Sequence, residues 1–373
     1  MSEKFLHIIT HDVPYPADFG GVVDLFYKIK WLHKIGVKIK LHCFVNKRNE
    51  QDELNKYCVT VNYYKRKKLG GISLSIPFIV SSRKNKALLV NLQKDGYPIL
   101  MEGIHCSYYL QQNLFRGRQF FLRLHNVEYK YYEQLAKHET NFFKKLYYTH
   151  EAKLLKKYEK EIANKVSIWT VSTEDVILYK EQFDAKDIQF IPVFLPYERV
   201  QIAVGKGSYC LYHGNLSINE NEIAACWLIE KVFSSLQIPL IIAGRNPSKK
   251  LKSKAKKYKY VSVVENPSEV NMQLLIQHAQ INILPSFNKT GVKLKLLNAL
   301  YNGRHCVVNI AGTEGSGLNE LCTIAEIEIS FKEKISLLFN TVFTQKEMQH
   351  RSTALKKLYN NEQNARLINE LLP

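Results

Sequence analysis

The chain contains no uninterrupted apolar run of about eighteen residues, so no bilayer-spanning helix is expected. It has no Cys-x-x-Cys pair. Its seven cysteines, Cys43, Cys58, Cys106, Cys210, Cys226, Cys306 and Cys322, are odd in number and widely spaced, which argues against a disulfide framework or a zinc site and for a reducing compartment. Several lie inside apolar runs and read as small buried hydrophobes. No Gly-x-Gly-x-x-Gly follows the first strand candidate, which counts against a dinucleotide enzyme, and no recognised nucleic-acid motif occurs. Residues Met1 to Ile9 lack the long apolar region and small-residue cleavage site of a secretory leader and read as a first β-strand. Acidic residues are in short supply: 53 Lys and Arg face 34 Asp and Glu, a net charge of +19 that calls for an anionic partner or serves solubility alone. Nucleic acid, an anionic membrane face and phosphorylated substrates are the candidates.

With 373 residues, the chain suits two domains rather than one core. A hydrophobic share of 46% against 23% charged leaves no room for long disorder. Strand candidates are Phe5–Ile9, Val37–Val45, Val59–Tyr63, Ile99–Glu102, Phe120–Leu124, Ser167–Val171 and Gln189–Ile191, then Tyr209–His213, Pro239–Ala243, Val261–Val264, Ile281–Leu284 and Cys306–Val308. Between them, apolar residues recur at helical spacing in Val22–Lys34, Tyr129–Lys137, Glu220–Ser234, Val270–His278 and Val292–Asn302. This alternation predicts an α/β protein with two doubly wound, Rossmann-like domains whose parallel sheets carry helices on both faces. The pattern pauses between Pro192 and Gly207. We therefore expect an N-terminal domain over 1–195, a second over 205–345, and a helical tail over 346–373 packing back on the first. Ligands in such sheets bind at the carboxyl ends of the strands, which the two domains would turn toward a central cleft.

Four segments at those ends could carry chemistry. In Pro14-Tyr15-Pro16-Ala17-Asp18-Phe19-Gly20-Gly21, the two glycines open a helix and let backbone amides approach a phosphate; a plain tight turn reads equally well. In Leu122-Arg123-Leu124-His125-Asn126-Val127-Glu128, His125 and Asn126 sit just past a strand end. In Ala243-Gly244-Arg245-Asn246-Pro247-Ser248-Lys249-Lys250, Arg245 offers a two-pronged donor to phosphate oxygens and Lys250 a point charge, unless the turn is simply a solvated basic one. The fourth segment runs from Leu284 through Thr290-Gly291-Val292-Lys293-Leu294-Lys295 to Asn298 and on to Asn309. There a polar loop starts a helix whose first amides, with Lys293 and Lys295, could hold a diphosphate.

In order and content these segments resemble glycosyltransferase family 4 and its relatives, the retaining GT-B enzymes. Members carry a Gly-Gly loop after the first strand, seen here as Gly20-Gly21, and a strand-end histidine, here His125. They also carry an Ala/Gly-Gly-Arg turn, here Ala243-Gly244-Arg245, and a Gly-x-x-x-Lys loop-helix, here Gly291 to Leu300. The segment Arg123 to Tyr129, with Lys153 to Glu159 further on, looks like one branch of the family. The resemblance implies a GT-B fold and a retaining transfer from a UDP- or GDP-sugar, with no metal or other cofactor. It implies that Gly20 and Gly21 approach the donor phosphates or the acceptor, and that His125 sits beside the transferring sugar. Arg245, Lys250, Gly214, Asn215 and Gly291 to Lys295 would hold the diphosphate, Glu265 and Asn266 would lie near the base, and Asn298 would meet the ribose. Asn126 and Glu128 would face the acceptor. Many members place two glutamates eight residues apart where this chain has Thr290 and Asn298; Asn298 can hydrogen-bond hydroxyls but brings no charge.

The basic surplus gathers in Tyr64-Lys65-Arg66-Lys67-Lys68, in Lys249 to Lys259, and among the aromatics of Asn141-Phe142-Phe143-Lys144-Lys145-Leu146-Tyr147-Tyr148. Aromatic and basic residues so mixed suit a membrane surface, so a cytoplasmic chain docking on the anionic leaflet and meeting a glycan or lipid-linked acceptor there is expected. A solvated lysine-rich surface is the plain alternative. Two other classes are kept: a catalytically silent sugar-nucleotide or glycan-binding protein, and a nucleic-acid-binding protein. The second explains the charge but not the paired domains or the order of the turns.

Overall fold

The computed structural model describes residues 3–18, 20–45, 48–67, 73, 75–112, 114–288 and 291–373. Thr290, expected at the phosphate loop, and parts of the Pro14–Gly21 and Tyr64–Lys68 segments (Phe19 and Lys68) lie outside them. The chain divides into two compact units, one of Met1–Pro196 with Tyr359–Pro373 and one of Tyr197–Leu358.

Among the described residues the first unit holds seven strands: β1 (Phe5–Thr10), β2 (Lys38–Val45), β3 (Thr60–Lys65), β4 (Ile99–Glu102), β5 (Phe120–Leu124), β6 (Ser167–Thr170) and β7 (Ile188–Phe190). They lie in the order β3-β2-β1-β4-β5-β6-β7, and every neighbouring pair is parallel. Strands such as β4, buried along its whole length, are apolar on both sides because both sides are covered. One face packs Leu25, Ile29 and Leu32 of the helix Gly20–Lys34; the other packs Leu155, Tyr158 and Ile162 of the helix Phe142–Ile162. Winding proceeds outward from β1 through β2 to β3, then restarts on the opposite side of β1 with β4. That reversal is the topological switch point, where the carboxyl ends of β1 and β4 diverge and a ligand finds room.

The second unit repeats the plan. Its strands are β8 (Cys210–Asn215), β9 (Leu240–Arg245), β10 (Val261–Glu265), β11 (Ile281–Ile283), β12 (His305–Val308) and β13 (Thr323–Ile324). Their order is β10-β9-β8-β11-β12-β13, all parallel. Its switch point lies between β8 and β11. Strand β13 was not expected, since two residues are too few to show a period.

Three expectations need correction. The tail is not one element: Tyr359 and Asn360 interrupt it, and only Tyr359–Pro373 belongs to the first unit. There Ala365, Ile368 and Leu372 join the core beside Trp31 and Leu32, and Lys4 Nζ donates to the Asn369 and Leu372 carbonyls at 3.0 and 2.7 Å. The helix Gln345–Leu358 stays with the second unit, because buried Arg351 donates to the Gly303 and Arg304 carbonyls, both at 2.7 Å. The second unit also begins earlier than expected, at Tyr197: the Gln201 amide donates to the Tyr301 carbonyl at 2.8 Å, and Gly205 bridges to Phe343. Finally, the helix expected from Val292 starts at Leu294, and the helix expected over Glu220–Ser234 is α-helical only to Trp227 before a π-helical turn, Leu228–Val232.

Candidate functional site

At the first switch point, β1 ends in Thr10 with His11 just beyond it, β4 in Glu102, and β5 in Leu124 with His125 just beyond it. The helix Gly20–Lys34 supplies Asp24 and Lys28 from beneath. Lys28 Nζ lies 2.6 Å from Glu102 Oε1 and 3.1 Å from Asp24 Oδ2. Arg123 binds Asp24 through Nη2 at 3.1 Å and Nε at 3.3 Å, and donates to the Ile191 and Pro192 carbonyls at 2.5 and 3.0 Å. All four of these side chains are fully buried. Two carboxylates and two cations therefore balance, which is what permits charge at this depth. Burial alone would raise the carboxyl pKa values, but Arg123 and Lys28 hold Asp24 below its usual range, and Lys28 with His125 does the same for Glu102.

His125, with 16% of its side chain exposed, caps the cluster: its Nε2 is 3.2 Å from Glu102 Oε2 and 3.7 Å from Asp24 Oδ2. Carboxylates only accept, so Nε2 carries the proton and, in the neutral imidazole, Nδ1 is the acceptor. Asp24, Glu102 and His125 could be read as a metal triad, their ligand atoms lying within 4.8 Å of one another. Lys28 and Arg123 already neutralise both carboxylates, so a divalent cation would add uncompensated charge.

Gly20 and Gly21 open the helix Gly20–Lys34. A side-chain carbon at Gly20 would meet nothing within 4 Å, and one at Gly21 only His11, at 3.8 Å. The backbone there is open to a ligand. Asn126 is half-buried. Glu128 is buried, and burial pushes its carboxyl up to about 7 while nearby Arg83 opposes that. The reason for Glu159, part of the sequence resemblance, is plain here: its carboxylate accepts from the Glu128 amide at 2.9 Å and the Tyr129 amide at 3.4 Å, capping the helix Glu128–His138 from across the fold.

In the second unit the loop after β8 and the helix Leu294–Asn302 meet at one polar cluster. Asn215 accepts from Ser217 at its side-chain oxygen, at 2.7 Å, and from the Asn221 amide group at its carbonyl, at 2.9 Å. Asn221 Oδ1 in turn accepts from Lys295 Nζ at 3.1 Å, and Lys295 lies 4.9 Å from the Tyr212 ring centre. Asn221 and Tyr212 are both neutral. Burial pulls Lys295 down to about 8, with Lys293 adding to the effect, and burial likewise pulls Lys293 to about 8. Lys293 Nζ donates to the Gly291 carbonyl at 2.8 Å; Gly291 holds φ of 68°, a left-handed conformation that favours glycine. His213, buried one residue before Gly214, falls to about 3 through burial and the Lys295 charge, and its Nε2 has no partner. The loop is pinned from behind: the Ser286 amide donates to Asn309 Oδ1 at 2.9 Å and Asn309 Nδ2 returns a bond to the Ser286 carbonyl at 2.7 Å.

Gly244 has a steric cause. A side-chain carbon there would lie 1.9 Å from the Gly214 carbonyl oxygen, so β8 and β9 can pair only with glycine at that place. Arg245 follows, exposed, and Lys250 is exposed on the helix Lys249–Ala255. Asn246 and Asn266 both adopt positive φ, 52° and 50°, and the Asn246 amide donates to Asn266 Oδ1 at 2.8 Å, joining the turns after β9 and β10. Glu265 is the last residue of β10 and pairs with Lys252 at 2.9 Å. Val292 is half-buried in the loop before the helix. Asn298 is half-buried, and its Oδ1 already accepts from Asn302 at 2.8 Å.

Thus Gly214, Asn215, Gly291, Lys293 and Lys295 come together at the second switch point, and His125 stands at the first. The sequence reading missed Asp24, Lys28 and Glu102. The available signal was an Asp-Lys pair at i,i+4 inside the apolar stripe of Val22, Leu25, Ile29 and Leu32, a spacing that ordinarily marks a solvated face.

Residues 207–340 match the family described as glycosyl transferases group 1. A Klebsiella pneumoniae protein, described as an uncharacterized 44.6 kDa protein in cps region, is 29% identical over 357 residues, covering 88% of this chain and 89% of its own. Among solved structures, a glycosyltransferase from Rickettsia africae aligns with a TM-score of 0.67 at 12% identity, over 100% of this chain and 98% of its own. A TarM mutant from S. aureus, in complex with Fondaparinux, alpha-GlcNAc-glycerol and UDP, gives 0.67 at 12%, over 99% of both chains. Anabaena HepE in complex with UDP and glucose gives 0.66 at 10%, again over 99% of both. The two Rossmann-like sheets are those of the GT-B fold, and within the second unit residues 207–340 match the group 1 glycosyl transferase family.

Proposed function

We propose that this chain is a glycosyltransferase that moves a sugar from a UDP- or GDP-sugar to a glycan or lipid-linked acceptor with retention of configuration, using no metal. The observation that carries the donor assignment is Lys295. It is a half-buried cation beside the start of a helix, hydrogen-bonded to the neutral side chains of Tyr212 and Asn221, with a proton affinity already lowered by its surroundings. A diphosphate supplies the missing negative charge. Lys293, Gly291, Gly214 and Asn215 line the same cluster, and Arg245 and Lys250 lie on the neighbouring turn. Asn266 presents the base side together with Glu265, and Asn298 retains amide donors for the ribose. That TarM and HepE were solved with UDP supports a uridine donor.

In the reaction, the bond from the anomeric carbon to the diphosphate oxygen breaks and its electron pair stays with the leaving group. The acceptor oxygen bonds the same face of the carbon, and its proton passes to the departing phosphate. Charge grows on the diphosphate as the bond lengthens, so Lys295, Lys293 and Arg245 stabilise the transition state more than the bound donor. His125, oriented by Glu102, is the first unit's group for the transferring sugar, and Asn126 and Glu128 lie on the acceptor side, Asn126 toward the acceptor itself and Glu128 by offsetting part of the Arg83 charge. A thermal-shift screen against UDP, GDP and their sugar conjugates tests the donor: the true nucleotide raises the melting temperature through binding to the folded state. No shift with any of them refutes the assignment.

We also place the protein on the anionic cytoplasmic face of a membrane. None of the described helices is long and apolar enough to cross one. At the start of the helix Phe142–Ile162, Phe142, Phe143 and Leu146 are 72%, 80% and 60% exposed, beside exposed Lys144 and Lys145. Apolar rings and cations so placed suit an interface rather than water. Co-sedimentation with anionic but not neutral liposomes is expected, and its loss in a Phe142→Ser, Phe143→Ser variant; equal sedimentation of the variant rules out this patch.

A further inference from the structure

We infer that the acceptor taken by the first unit carries an anionic group, a carboxylate or a phosphate, and that Arg83 is the residue that pairs with it. The inference rests on the proposed function, because it concerns the acceptor side of that site.

Arg83 follows the short helix Phe78–Ser81 and is only 5% exposed. Its Nη1 donates to the Ile79 carbonyl at 2.6 Å and its Nη2 to the His11 carbonyl at 3.2 Å. These two bonds fix the guanidinium against the end of β1. Its buried Nε has no acceptor. Among the described residues no carboxylate forms an ion pair with it. Asp12 and Glu128 act on the charge from beyond ion-pair distance; Asp12 is also in contact with Arg48, at 3.9 Å, and accepts from the Val13 amide, at 2.9 Å. A guanidinium removed from water without a carboxylate is costly, so a fold that keeps one has a use for it.

Its surroundings place that use at the switch point. His11 and His105, at the ends of β1 and β4, stack with ring centres 5.1 Å apart. Burial, with Arg83 as the next cause, lowers both imidazoles, His11 to about 4 and His105 well below its ordinary value. Both are therefore neutral near pH 7, and His105 Nδ1 has no partner. Arg66, anchored by Ser82 at 2.9 Å, adds a second cation nearby. The histidine assigned to the transferring sugar, His125, belongs to the same neighbourhood, as its charge effect on His11 records. One fixed guanidinium, neutral imidazoles and a second cation form a cradle for one negative group close to the reacting sugar. A neutral hydroxyl acceptor would leave that guanidinium without an ion-pair partner, with Asp12 and Glu128 acting on it only from a distance.

The test uses the full chain with its donor site filled by the nucleotide found in the thermal-shift screen, so that phosphate probes cannot enter it. Isothermal titration compares methyl glucuronide with methyl glucoside, and farnesyl phosphate with farnesol. The two pairs separate a glycan carboxylate from a lipid phosphate as the source. At least one anionic probe is expected to bind about tenfold or more tightly than its neutral partner. Arg83→Gln abolishes that preference while leaving nucleotide binding intact, and Glu128→Gln, which removes a competing carboxyl, strengthens it. Equal binding of charged and neutral probes overturns the inference, as does an anion preference that survives in Arg83→Gln. Should Arg83→Gln fail to fold, an unchanged preference in Glu128→Gln overturns it instead. Nucleotide binding without anion preference defeats only the acceptor inference; absence of nucleotide binding defeats the donor reading beneath it.

Discussion

Replacing Lys28 by methionine tests the buried charge cluster and the orientation of His125 together. Lys28 contacts Glu102 at 2.6 Å and Asp24 at 3.1 Å. Methionine fills much of the same volume, so packing changes little and charge dominates. Asp24 keeps Arg123; Glu102 keeps only the His125 contact. Breaking a buried pair costs about 3–5 kcal/mol. The protein can limit that loss by protonating Glu102. From an ordinary glutamate value near 4.3, doing so at pH 7 costs roughly 2.7 × 1.36, or about 3.7 kcal/mol. In a unit of this size each kcal/mol moves the midpoint by about 2–4 °C, so the first unit should melt roughly 7–15 °C lower. The pH dependence carries the sign. In the native protein Glu102 is held below its usual range, so it contributes stability at neutral pH that is lost as pH falls through its folded value. In Lys28→Met its folded pKa is raised, and the penalty shrinks by about 1.4 kcal/mol per pH unit from 7 toward 5. Urea unfolding can follow the first unit through Trp31 and Trp169 once Trp227, in the second unit, is replaced by phenylalanine. Adding Glu102→Gln should recover at least about 2 kcal/mol, since it removes the orphaned charge. A single-variant cost under about 1 kcal/mol at pH 7, or additive effects in the double variant, would refute the reasoning.

Lys295→Ala and Arg245→Ala should each lower transfer at least about tenfold, or 1.4 kcal/mol of barrier; near-normal turnover in both removes them from the phosphate site. Because Lys295 and Lys293 titrate near 8 before the donor arrives and an anion raises them, donor binding takes up protons above that pH. Affinity should be flat below pH 7 and fall by up to about tenfold per pH unit per lysine above 8, measured by calorimetry in buffers of different ionisation heat; a flat profile to pH 9.5 contradicts it. Gly244→Ala puts a carbon 1.9 Å from the Gly214 carbonyl oxygen, forces β8 and β9 apart, and should cost the second unit more than about 3 kcal/mol, read from its unfolding midpoint; a stable variant means the strands can yield.

Much of the fold was legible because parallel strands buried on both faces spell continuous apolar runs. β4 and β5 occur at the expected bounds, and β1 differs by one residue. Short elements were not legible: β13 is two residues, and the π-helical turn after Trp227 has no compositional mark. The break at Tyr359 and Asn360 could not be read from helical periodicity, which runs through it. There the Asn360 side chain caps the last helix, and Asn361 ties its start to the first unit, accepting from the Leu195 amide at 3.0 Å and donating to its carbonyl at 2.7 Å.

The candidate site divides the same way. Local sequence by itself determined the strand-loop-helix units, and with them which residues stand at the carboxyl ends: His125, Gly214, Arg245 and the Gly291–Lys295 loop. Tertiary structure alone decided which of these meet and in what charge state. Lys295 reaches Asn221, 74 residues away, and Arg123 reaches Asp24, 99 residues away. A charge is read in sequence as solvated or paired with a near neighbour, because water and short spacing are the only partners a linear pattern can name. Burial and long-range pairing reverse that reading for Asp24, Lys28, Arg83 and Glu102, since desolvation depends on everything that packs around a group and on nothing in its own few residues.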